Sequence, residues 1–232
     1  MDFAAVEEAF QRRHVVIHNG GLVSSRYVAQ VGKGNGAPRV GSRLEVTDEY
    51  LRDVFDQLDV LGTALASYAR GTWVPDERDA SATAILNRSY MLMLHQRWGA
   101  VRRLTEIGRL MKAAEAIQHS LSCNHWLSRM ELEGPEEIED EVKEWDTSAL
   151  AGRFTLVQLV LLDRLDDAIA MVPTLVDKGE VSWGELQEWP ILRRLREHQQ
   201  FSEVARAVAP AKILEESTDR DRENEQRSDG GD

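Results

Sequence analysis

The segment Arg12 to Gly21, RRHVVIHNGG, sets an arginine and two histidines at the end of one amphipathic stretch. At 100° per residue, Arg13 and His18 lie about 140° apart around a helix axis, on opposite borders of its apolar stripe. His14 and His18 are four apart and share a face. Imidazole is the side chain that exchanges a proton near neutrality, and a guanidinium close to the stripe that packs on a neighbour needs an anion or a partner carboxylate. The same three residues also suit a plain role in capping and solvating a helix end.

Those residues need a helix to carry them and a turn to end it. Phe3, Val6, Phe10 and Ile17 mark an apolar stripe, so residues 2–17 are expected to be helical, with Asn19-Gly20-Gly21 as the stop. A second helix is expected from the N-cap Thr47, with Asp48 and Glu49 in its first turn. Leu51, Val54, Phe55, Leu58, Leu61 and Leu65 keep the core spacing to about Tyr68. Between the two lies GGLVSSRYVAQVGKGNGAPRVGSR, read as one long loop. From Arg12 to Arg43 the chain carries Arg12, Arg13, Arg26, Lys33, Arg39 and Arg43 and no acidic residue. This is the one basic window of an acidic protein, and with Asn19 its cations are the candidate contacts for an anionic ligand; taken alone, the run also reads as a solvated loop balanced by acids elsewhere.

Arg13-His14-Val15-Val16-Ile17-His18 resembles the signature of the HEPN superfamily: Arg, then commonly Asn, Asp or His, three variable residues, and His. The flanking RRHVVIHNGGLVSSRYV is similar to the form seen in prokaryotic HEPN domains of the restriction and defence kind, and the resemblance extends weakly to about Tyr68. It implies metal-independent RNA cleavage by Arg13 and His18, with His14 as orienter, at a composite site shared by two domains. It also implies a homodimer or another protein partner, since a full HEPN domain is a four-helix bundle and only one helix precedes the motif here. The missing helices are expected from an earlier start or from that partner; the alternative is an inactive HEPN remnant packed on the C-terminal array of a non-enzymatic, all-helical interaction or dimerisation protein. Gly20 stands two after His18, where toxin-type members carry a tyrosine for modification by a nucleotidyltransferase antitoxin, which speaks against such an antitoxin as partner.

Beyond residue 70 the pattern is helical throughout, with no alternation of strand type. GTWVPDERDASA, 71–82, reads as a linker. Helical spacing follows over Ile85–Gln96, Val101–Met111, Ala113–Met130, Leu150–Leu162, Leu165–Val176, Leu186–Glu197 and Glu203–Leu214. The fold class is all-α: a partial HEPN-like hairpin over 1–70, then an array of antiparallel helix pairs over 83–214 without a fixed repeat. The tail 215–232 has no hydrophobic residue and is expected to be disordered.

Composition narrows the function classes. Lys plus Arg number 28 against 40 acidic residues, a net charge of -12, so whole-molecule attraction to nucleic acid or anionic lipid is excluded and any RNA contact is local. The single cysteine, Cys123, rules out an intramolecular disulfide and fits a cytoplasmic location. No apolar run reaches a membrane span and the start is acidic, so no membrane association is expected. His119, Cys123 and His125 in HSLSCNH lack a fourth zinc ligand. GKGNG lacks the GK[ST] of a phosphate loop. No metal and no cofactor are therefore assigned. The six tryptophans are expected to lock helix pairs together.

Overall fold

A computed structural model describes residues 3–31 and 38–210, and among them it contains twelve α-helices and no strand beyond one isolated bridge. The all-α expectation is met. The chain divides into two compact units, residues 1–118 and 119–232. No helix among the described residues is long and apolar enough to cross a membrane.

The first unit opens with α1 (Phe3–His18). The amides of Asn19 and Gly21 both donate to the Val15 carbonyl, at 2.9 and 3.1 Å, and Gly20 and Gly21 take φ of 58° and 81°. Only glycine enters that region without strain, so Gly20-Gly21 stops the helix where the sequence places the stop.

The segment that follows is not a bare loop. Ser25–Val31 forms a short helix, α2, and Leu22 pairs with Arg43 in an antiparallel bridge closed by Val23 N–H to the Ser42 carbonyl (2.9 Å) and Leu44 N–H to the Gly21 carbonyl (2.8 Å). Val15, Val23, Tyr27 and Leu44 are buried together there, with Val28 and Val31 against them. The GKGNG segment, Lys33 included, lies outside the described residues.

The long helix α3 (Asp48–Trp73) starts at Thr47, whose side chain accepts from the Tyr50 amide at 3.1 Å, as the sequence indicates. It continues five residues past Tyr68. Residues 71–82, read as a linker, instead complete α3, make a 3₁₀ turn at Pro75–Glu77 and begin α4 (Arg78–Leu94). Pro75 sits at the first position of that turn, where its missing N–H costs nothing. A Cβ on Gly71 would lie 3.5 Å from Ser81 Oγ, so the segment is a packed helix-to-helix corner.

α3, α4 and α5 (Trp98–Arg109) bury Val60, Ala64, Ile85, Met93, Val101 and Leu104 between them. Arg88 and Arg97 tie this layer by ion pairs to Asp59 and Asp56 of α3, the second at 2.9 Å. The boundary between the two units falls inside α6 (Glu115–Glu133), not at 71–82.

The second unit continues through α7 (Glu139–Glu144), α8 (Gly152–Leu161), α9 (Leu165–Asp177), α10 (Trp183–Glu188), α11 (Arg193–Arg196) and α12 (Phe201–Val208). α8 and α9 form the hairpin expected from their spacing. Its turn residue Asp163 has φ of 58°, and Gln96 repeats that conformation between α4 and α5. Leu186–Glu197 is not one helix. Pro190 forces Trp189 into extended backbone (φ -63°, ψ 117°), and a 3₁₀ turn separates α10 from α11.

Trp126, Trp145, Phe154 and His119 cluster with ring centroids 5.0–5.9 Å apart, and Arg153 lies over the Trp189 ring at 4.9 Å. These tryptophans lock helices as expected, whereas Trp73 in the first unit is exposed. Trp145 Nε1 donates to His119 Nδ1 at 3.3 Å, and burial pushes the Cys123 thiol well above its ordinary range. The last helix, expected to reach Leu214, ends at Val208, where Ala209 turns to extended backbone (φ -65°, ψ 139°) and Pro210 follows; the expected disorder of 215–232 concerns residues outside the described ones.

Candidate functional site

The last two turns of α1 carry the motif. His14 and His18 are both exposed, and their rings meet with centroids 4.7 Å apart at an interplanar angle of 45°. The four-residue step therefore delivers the shared face that the spacing demands. Val15 between them is buried in the small core with Tyr27, which fixes the rotation of the helix and keeps both imidazoles turned to solvent.

Arg13 is exposed and makes no ion pair among the described residues. It lines a groove of about 340 Å³ between α1 and α3, shared with Phe10, Ile17, Leu51, Val54 and Leu58. Arg13 and His18 thus belong to different borders of the helix, and one chain does not bring them together.

Arg12 has a different part from the one its charge suggests. Its Nε donates to Glu8 Oε1 at 2.7 Å, another nitrogen donates to the Glu45 carbonyl at 2.6 Å, and the guanidinium lies 4.2 Å from the centre of the Tyr50 ring. Two of its five N–H donors are thus spent inside the fold, which makes Arg12 a support for the motif as well as a member of the basic window.

Glu8 is the hub of that support. Tyr27 Oη donates to one of its oxygens at 2.5 Å and Tyr50 Oη to the other at 2.9 Å. Burial pushes the Glu8 carboxyl up, but the bonds from Tyr27, Arg12 and Tyr50 outweigh it and hold the group below its ordinary value. Burial and the bond to Glu8 push Tyr27 up to about 12, and Tyr50 rises for the same reasons. One carboxylate thus joins α1, α2 and α3. The spacing of Glu8 and Arg12 was a visible signal for half of it; nothing local in the sequence marks Tyr27 and Tyr50 as the other half.

Arg26, Arg39 and Arg43 are exposed and form no ion pair among the described residues. Arg43 is the one held near the motif: its Cγ and Nε pass 3.7 Å from where a Cβ on Gly21 would stand. The turn after His18 therefore has a cation against it. Asn19 is exposed in that turn, its carbonyl accepting from Leu22 N–H at 3.0 Å. Lys33 lies outside the described residues. No group of three or more His, Cys, Asp or Glu among the described residues is arranged to hold a metal ion. The site is thus two adjoining, tilted imidazoles at a helix end, one arginine a step around the axis, and flanking cations. No protein-family model, curated protein or solved structure matches the chain.

Proposed function

We propose that the protein is a HEPN-type, metal-independent endoribonuclease acting on single-stranded RNA in the cytoplasm, in a defence or stress system. The observation that carries the reading is the solvent-facing pair His14 and His18, with Arg13 free of any ion pair among the described residues. His18 takes the proton from the 2'-hydroxyl as its oxygen bonds to phosphorus. The P–O5' bond breaks, and a protonated imidazole returns a proton to the leaving 5'-oxygen. The products are a 2',3'-cyclic phosphate and a 5'-hydroxyl.

One imidazole cannot give and accept in a single concerted step, so the second comes from the His18 of another copy. Arg13 holds the phosphorane oxygens, and Arg26, Arg39, Arg43 and Asn19 contact the strand. His14 orients its neighbour. The measurement is cleavage of a single-stranded RNA in the presence of a chelator, with end-group analysis of the products. His18→Ala and Arg13→Ala are each expected to lower the rate about a hundredfold or more with helix content unchanged, and His14→Asn to have a smaller effect. A strand with a 2'-deoxy sugar at the cleavage position is expected to resist. Undiminished cleavage by the His18 variant refutes the assignment. A non-enzymatic interaction module is favoured by one observation, the open apolar groove beside Arg13, and an inactive wild type leaves that second reading in place.

A further inference from the structure

A second opening in the first unit lies at the corner where α3, α4 and α5 meet, and none of the motif residues lines it. It holds about 560 Å³, the size of a small-molecule site. Tyr68, Gly71 and Thr72 form one wall from α3, and Ile107, Leu110 and Met111 form the other at the end of α5. Each set keeps the i, i+3, i+4 spacing of one helix face. Gly71 draws the walls together, since a Cβ there would stand 3.7 Å from Met111 Cε. The mouth stays open: Leu110 is 87% and Tyr68 67% exposed, large apolar surfaces left in water beside a cavity. The remaining lining residues are Arg78, the first residue of α4, and Lys112, just past α5. Neither forms an ion pair among the described residues, and the lining contains no acid.

We infer that this cavity binds a monoanionic amphiphile of the aliphatic carboxylate class, its chain on the floor between Tyr68 and Met111 and its head between Arg78 and Lys112. Three observations select that chemistry. The large side chains of the walls are aliphatic apart from the Tyr68 ring, and Met111 is an unbranched thioether that refits around an alkyl chain. The groups that could satisfy the two cations have other partners. Glu77 is held by Arg70, Asp79 accepts from the Ala114 amide at 2.8 Å, and the Met111 carbonyl at the end of α5 accepts from Gln118 Nε2 at 2.7 Å. Finally, the head must carry a single charge. An adjoining recess of about 330 Å³ shares Arg78 and Lys112 but adds Asp76 and Asp79, two carboxylates against two cations. A polyanion there would be pressed against both acids, whereas one carboxylate arriving from the apolar side meets the cations alone.

This binding stands on the cavity alone and holds whether or not the motif cleaves RNA. Its test is calorimetric titration of the full chain with sodium decanoate below its micelle concentration, with decan-1-ol as the uncharged probe. The wild type is expected to take one decanoate per chain with a dissociation constant of about 100 µM or below. Arg78→Gln combined with Lys112→Gln changes two exposed side chains that hold no ion pair. It is expected to weaken decanoate about tenfold or more and decan-1-ol less than about twofold. Thr72→Trp, which fills the cavity from an exposed position, is expected to remove binding of both with the helical spectrum unchanged. Leu58→Lys, in the separate groove beside Arg13, is expected to leave both as in the wild type. A wild type without saturable decanoate binding overturns the inference. So does a double variant that binds decanoate undiminished, or binding that Leu58→Lys abolishes and Thr72→Trp does not.

Discussion

Replacing Glu8 by Gln tests whether one carboxylate holds the motif helix in place. The carboxylate accepts from Arg12, Tyr27 and Tyr50 at 2.7, 2.5 and 2.9 Å. The side chains of Glu8 and Arg12 keep only 18% and 22% of their surface, so screening by water is partial. Glutamine retains one acceptor oxygen and puts an NH₂ where two acceptor sites were, leaving Arg12 without its counter-charge. Hydrogen bonds to charged groups contribute about 1.5–3 kcal/mol each and do not add in a shared network. The net loss is then about 2 kcal/mol, a large part of the 5–15 kcal/mol typical of a domain.

Glu8 sits below its ordinary value in the folded state, so its contribution is complete above the unfolded carboxyl value and disappears as pH falls through the depressed folded one. The gap between wild type and Glu8→Gln should therefore be constant near neutrality and close in acid. Two compact units need not unfold together, so the assay is hydrogen exchange read on peptides from α1 to α3, with Glu7→Gln as the exposed control. A Glu8→Gln variant within about 0.5 kcal/mol of wild type would refute the reasoning. A gap that persists unchanged in strong acid would do the same.

The other expectations concern the site and the second unit. Loss of RNA cleavage in His18→Ala, with 2',3'-cyclic ends from the wild type, is read by end-group analysis. In Gly152→Ala the new Cβ would come within 2.6 Å of Leu175 Cδ2, a buried methyl, and chemical denaturation should show about 1–3 kcal/mol of destabilisation. Ser182 and Glu185 close a capping box at the start of α10, with Ser182 N–H donating to Glu185 Oε2 at 2.8 Å and the Ser182 hydroxyl accepting from the Glu185 amide at 3.2 Å. Ser182→Ala should cost about 1 kcal/mol and raise amide exchange at 183–185.

What was legible in the residues was local. Asn19-Gly20-Gly21 and Thr47 announce their helix boundaries because a positive φ and a cap hydroxyl need particular residue types. The shared face of His14 and His18 follows from spacing alone. α2 was not legible: seven residues do not make a stable helix by propensity, and this one stands because Tyr27 reaches across to Glu8 and buries its ring beside Val15. The corner at 71–82 misled for a related reason, since Gly71 and Pro75 read as breakers when the small residue serves close packing and the proline opens a turn. The supporting part of Arg12 was not legible either, because charge is visible in a sequence and the Glu45 carbonyl that accepts from it is not.

The two sides of α3 also set opposite rules for change. Its inner side, Val60, Ala64, Ser67 and Gly71, meets a small-residue side of α4 in which Ser81 and Ser89 return their hydroxyls to carbonyls of their own chain, Glu77 and Leu86, at 2.9 and 2.7 Å. With Val60, Ala64 and Ser67 buried in that surface, a mutational scan should find those three positions closed to added volume, and Ser81, whose hydroxyl bonds back to Glu77, tolerant of alanine. The outer side, where Phe55 and Leu65 stand exposed, should show the reverse pattern, open to side chains of any size and to charge. A library sorted for folded protein would thus trace the two surfaces of this one helix, one by what it refuses and the other by what it admits.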